Sequence, residues 1–145
     1  MPTYACWTRR GQLSHEQRQR IATALTEAHH QIAKAPRYFV QVIFNDLDEG
    51  HRFIAGQPAD VDHIWIRGDI REGRSEGQKA ELMQRILSDV AEIAGAIPEN
   101  IWIHISDIPG PSVVEFGQSL PQPGEEAAWF SRLPLSLQQV LGNLA

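Results

Sequence analysis

The feature that most constrains this chain is that its first half recurs in its second. Thr3 to Thr8 reads as a strand, Ser14 to Ala35 as a helix, and Tyr38 to Asn45 as a strand with Val40, Val42 and Phe44 on one face. After a loop-like stretch, Asp46 to Asp60, the order returns. Ile64 to Arg67 reads as a strand, Ser75 to Ala96 as a helix, and Asn100 to Ser106 as a strand with Ile101, Ile103 and Ile105 alternating. Ser75 stands 61 residues after Ser14, and the same offset pairs Gln17 with Gln78, Ile21 with Leu82, Leu25 with Ile86, Ile32 with Ile93 and Asp46 with Asp107, with no gap. Both helices open on Ser-x-x-Gln, a capping box in which the serine oxygen accepts an orphan backbone N–H and the glutamine reaches back. Equal spacing of caps, helix faces and strand phase points to a duplicated β-α-β unit.

Each unit lays its helix across two parallel strands. Two units side by side predict an α/β (α+β) fold: a four-stranded mixed sheet with two helices on one face. The 145 residues suit a single domain, with units at 2–46 and 62–107 and a tail at 108–145. The opposite sheet face is left bare, so a homo-oligomer is expected. A net charge of −5 without a basic block argues against nucleic acid as a partner. Cys6, the only cysteine, allows no internal disulfide. No signal-peptide layout or membrane-length apolar run is present, so no membrane partner is expected and the cytoplasm is the expected location.

Several residues could carry chemistry. Removal of Met1 would free the secondary amine of Pro2, an α-amino group with a pKa of roughly 8 that can give or take a proton. Arg71 and Arg74, in Arg71-Glu72-Gly73-Arg74-Ser75 before the second helix, make a carboxylate clamp, or else a solvated turn. Arg10 matches Arg71 at the 61-residue offset. His29 falls at the edge of the apolar stripe of Ala22, Leu25 and Ile32, where a core-edge histidine is the plain reading; His30 points elsewhere. The two adjacent histidines cannot readily share an ion, and neither HExxH nor a cysteine pair occurs, so no metal is expected. Glu115 sits among apolar neighbours in Ser112-Val113-Val114-Glu115-Phe116, a setting that suits a carboxylate to act as a base toward water; the alternative is a surface glutamate on a short helix. His104 lies on the fourth strand, facing away from Ile103 and Ile105.

Together these residues resemble the tautomerase superfamily, and within it the cis-3-chloroacrylic acid dehalogenase family. The resemblance covers nearly the whole chain. It rests on Pro2, Ala28-His29, Arg71-Glu72-Gly73-Arg74-Ser75, Ile101-Trp102-Ile103, Val114-Glu115-Phe116-Gly117, Leu120-Pro121-Gln122-Pro123-Gly124 and Trp129-Phe130. It implies two fused β-α-β units, a trimeric barrel-like assembly, no cofactor and a small carboxylate substrate. It further implies that Pro2 donates a proton to the carbon beside the substrate carboxylate, that Arg71, Arg74 and His29 hold that carboxylate, and that Glu115 activates water. His104 occupies the place where the family has a tyrosine that assists the glutamate. That departure brings forward a related hydratase, or keto–enol tautomerisation with Pro2 as base. A non-catalytic binding homologue, indifferent to Pro2, is the third alternative.

Overall fold

A computed structural model describes residues 2–59 and 62–145; Met1 and Asp60, the end of the expected loop, lie outside them. Strand β1 (Pro2–Arg9) leads to helix α1 (His15–Ala33) and strand β2 (Gln41–Leu47). A small hairpin, β3 (Phe53–Ile54) and β4 (Gln57–Pro58), precedes the second unit of β5 (Ile64–Arg71), α2 (Glu76–Ala94) and β6 (Ile101–Ile108). A second hairpin, β7 (Val114–Glu115) and β8 (Gln118–Ser119), opens a tail with helices α3 (Glu126–Phe130) and α4 (Leu135–Gly142).

The main sheet runs β2-β1-β5-β6. Strands are parallel within each unit and antiparallel at the β1–β5 seam, where Pro2 faces Ile70 and Tyr4 faces Gly68. The sheet is therefore mixed, as expected. Ile21, Leu25 and Ala28 of α1 and Leu82, Ile86 and Val90 of α2 pack on Tyr4, Cys6, Ile64 and Ile66 of the central strands, so both helices cover one face.

The duplication is visible in the bonding. Ser14 and Ser75 each accept from the backbone N–H three residues on, and Gln17 and Gln78 each return the bond. Gln17 also donates to the Ile93 carbonyl at the end of α2, while Gln78 donates to the Ile32 carbonyl at the end of α1. Each helix start thus satisfies carbonyls at the other's finish, as antiparallel helices related by a pseudo-twofold must.

Two expectations need correction. The stretch Asp46 to Asp60 is not all loop: β3–β4 lies 61 residues before β7–β8, and both turn through positive φ, at Ala55-Gly56 and Phe116-Gly117. The duplicated unit therefore includes a hairpin. The halves also do not overlay without a gap. Strands β1 and β5 correspond at an offset of 62, because three residues separate Arg71 from Ser75 but four separate Arg9 from Ser14. By register Arg9, not Arg10, is the counterpart of Arg71.

The other sheet face carries Trp7 stacked on Trp65 at 4.4 Å, with Ile43 and Trp102 exposed beside them. The tail folds back so that Leu120, Trp129, Leu133 and Leu141 form a second core with Phe39. Among the described residues, no helix is long and apolar enough to cross a membrane.

Candidate active site

The antiparallel seam decides what meets Pro2. Because β1 begins where β5 ends, Pro2 lies beside Ile70 and next to Arg71. Two short excursions complete the cluster: the β5–α2 connection brings Arg74, and the last turns of α1 bring His29.

Arg71 is 5% exposed. It donates to the Pro121 carbonyl at 2.6 Å and to the Glu126 carboxylate at 2.6 Å, while its Nε is buried without a partner among the described residues. Gly110 lies against the arginine stem, where a Cβ would meet Arg71 Cδ at an ordinary contact distance of 3.6 Å. Gly73, at φ +106°, lies against Pro123, where an added Cβ would stand 3.0 Å from the ring. The Arg-Glu-Gly-Arg and Leu-Pro-Gln-Pro-Gly strings thus touch in space.

Arg74 donates to the Arg71 carbonyl at 3.1 Å and to the Ala33 carbonyl at 3.2 Å, placing its charge at the C-terminus of α1. Among the described residues no carboxylate lies within salt-bridge distance of it. Burial, then the neighbouring Arg71 charge, lowers its pKa. An anion near Arg74 would relieve both penalties.

His29 departs from its expected place at the edge of the helix stripe: it is completely buried. Tyr4 of β1 covers it, and the Tyr4 hydroxyl lies 2.8 Å from Nδ1. Burial first, with the Arg74 and Arg71 charges adding to it, holds its pKa down at about 3, so the ring is neutral at pH 7. His29 Nε2 is buried with no hydrogen-bond partner among the described residues. His30 lies outside the cluster, its Nδ1 2.8 Å from the Ala35 carbonyl.

Glu115 is half-buried on β7, in a hairpin rather than a helix. That hairpin is tied to the tail through Phe116, whose ring meets Tyr38, Phe39 and Trp129. His104 is exposed on the bare sheet face, 5.5 Å from Trp65 between ring centroids and paired in register with Arg67. Within one chain it is on the other side of the sheet from His29. Glu126 is a contact that sequence reasoning missed. Burial works to raise its carboxyl's pKa, but the hydrogen bond from Arg71 and backbone N–H donors prevail and hold it below the ordinary range.

A cavity of about 480 Å³ lies elsewhere, lined by Arg9, Arg10, Asp48, Glu49 and Arg52. Its exposed arginines are already matched, Arg9 by Asp62 and Arg10 by Asp48. We therefore place the candidate site at the cluster of Arg71, Arg74 and His29, where burial desolvates the cations in part or in full.

Two β-α-β units fused across an antiparallel seam, with the buried Arg71 following the strand partner of Pro2, define a tautomerase-type fold. The family model Tautomerase_3, described as "Putative oxalocrotonate tautomerase enzyme", matches residues 1–132, and the chain belongs to that family. The chain is similar to the crystal structure of N1, a member of the cis-3-chloroacrylic acid dehalogenase family, at 47% identity and a TM-score of 0.94 over 98% of this chain and 99% of that one. A fused 4-OT wild-type asymmetric trimer shares the fold at 21% identity and a TM-score of 0.74, over 81% of this chain and 94% of that one. A 45-residue stretch is 42% identical to "Probable tautomerase gbs1111" of Streptococcus agalactiae serotype III (strain NEM316), spanning 31% of this chain and 75% of that protein.

Proposed function

We propose that this chain is a cofactor-free hydratase and hydrolytic dehalogenase of small unsaturated carboxylates such as cis-3-chloroacrylate, working through the freed amine of Pro2. The observation that carries this reading is a half-buried cation outside any salt bridge among the described residues, Arg74, which donates to the Arg71 carbonyl next to the strand partner of Pro2, together with a buried imidazole, His29, whose Nε2 has no partner among the described residues. A desolvated cation and a neutral donor suit an entering carboxylate.

In this reading Arg71, Arg74 and His29 hold the substrate carboxylate and draw electron density toward it. Glu115 takes a proton from water as its oxygen bonds to C3, and protonated Pro2 delivers a proton to C2. The resulting chlorohydrin loses HCl to give malonate semialdehyde. Addition of water requires an acid and a base on different sides of the double bond, the roles this reading gives to Pro2 and Glu115. The bare sheet face, with its stacked tryptophans, would be covered in a homotrimer, the state named for the fused 4-OT relative. His104, on that face, would then lie at a subunit boundary. A cytoplasmic location is part of the same proposal.

The family description favours tautomerisation, and our second reading is keto–enol tautomerisation of phenylpyruvate-type substrates with Pro2 as base. The two separate at Glu115. Glu115→Gln should abolish chloride release and spare tautomerisation; equal loss of both would contradict the assigned roles.

A further inference from the structure

Tyr4 stands two residues after Pro2 on the same inward face of β1, and it is completely buried. Among the described residues its hydroxyl has one polar contact, the 2.8 Å one to His29 Nδ1. Burial raises the phenol's pKa far above its ordinary value, so the hydroxyl keeps its proton; His29 is neutral.

Two proton arrangements satisfy that distance. If Nδ1–H donates to the phenol oxygen, the Tyr4 proton is buried without an acceptor, and Nε2 is left as an unpaired acceptor as well. If Tyr4 O–H donates to Nδ1, only Nε2–H remains unmatched. A buried polar group without a partner costs about 1–3 kcal/mol, so the second arrangement wins by one such group. Its one unmatched group is a donor, which is what an entering carboxylate satisfies.

Gly68 makes the contact possible. It faces Tyr4 across the seam, and a Cβ there would lie 2.6 Å from Tyr4 Cε1. The phenol ring occupies the space a side chain at 68 would take.

We propose that Tyr4 is a positioning residue that holds His29 as the Nε2–H tautomer and reserves that proton for the substrate's carboxylate, with Gly68 providing the room that seats the phenol. The use of that proton rests on the carboxylate-binding function above; the tautomer itself does not.

The test is long-range 1H–15N NMR of protein labelled with [15N]histidine at pH 7, with the His29 signals assigned by His29→Gln. The expected wild-type pattern is a bare Nδ1 and a protonated Nε2, with Nε2 shifting on addition of cis-3-chloroacrylate. Tyr4→Phe should mix the two tautomers and lower kcat/KM roughly tenfold, the share of one hydrogen bond to a charged group. Gly68→Ala keeps the hydroxyl but displaces it, and should change the His29 pattern in the same direction; far-UV circular dichroism verifies the fold of both variants. A protonated Nδ1 or an imidazolium in the wild type overturns the proposal without any variant. So does an Nε2 signal indifferent to the carboxylate, or a Tyr4→Phe spectrum unchanged at His29. Expected spectra and carboxylate response without product formation would instead sink the proposed reaction and leave the role of Tyr4 standing.

Discussion

Replacing Glu126 by glutamine tests how the tail is fastened over the site. The Arg71–Glu126 pair is tight, at 2.6 Å, and secluded, with side chains 6% and 20% exposed. Breaking a fully buried pair by removing one partner costs about 3–5 kcal/mol. Glutamine retains a carbonyl to accept one Arg71 N–H, so roughly half should survive, leaving a loss of about 2 kcal/mol. For a domain of this size that corresponds to a fall in Tm of about 4–8 °C. The assay is thermal melting by circular dichroism at fixed protomer concentration, since assembly would shift Tm by mass action. The pH dependence adds a second check. The Glu126 carboxyl has a lowered pKa in the folded state, so its contribution is present above the unfolded carboxyl value of about 4.3 and is lost as pH falls through the folded value. Parent and variant should differ at pH 7 and converge once the pH falls below the folded value. Equal melting at pH 7, or a difference that persists unchanged in acid, would refute the assignment of the tail's anchor to this pair.

Other expectations are local. Ala55→Gly should stabilise the β3–β4 turn by about 0.5–1 kcal/mol in urea titration, because Ala55 sits at φ +52° and is exposed. Phe116→Gly, at the same φ in the second hairpin, should instead destabilise, because the ring packs against Tyr38, Phe39 and Trp129. Trp129→Ala removes a completely buried ring whose Nε1 donates to the Ser119 carbonyl, and should cost about 3–5 kcal/mol by the same titration.

The units were legible because helix caps are local chemistry. Ser14 and Ser75 with their glutamines mark helix starts from four residues each, and apolar alternation marks β2 and β6. The one-residue gap was hidden because β1 and β5 carry different side chains, and only pairing across the seam fixes their register. Strand β5 also runs on past Arg67, through Gly68, whose place in a strand is explained only by Tyr4 opposite. The hairpins lack the Asn-Gly or Asp-Gly signal and turn through Ala55 and Phe116, residues that seldom take positive φ. At the site, Arg71 and Arg74 stood out as a local pair, and family resemblance drew Pro2, His29 and Glu115 toward them. The burial of His29 was not legible, because its cover comes from β1. Nor was Glu126, which lies 55 residues from Arg71 in sequence and reaches it only when the tail folds back.

The central claim is that the amine of Pro2 carries the reaction. Chloride release from cis-3-chloroacrylate, measured on protein whose intact mass shows Met1 removed, tests it most directly when set beside Pro2→Ala prepared in the same way. We expect one chloride per malonate semialdehyde from the parent and a loss of roughly a hundredfold or more in Pro2→Ala, the scale of a lost general acid. No chloride from the processed parent, or equal release from both proteins, would contradict the account.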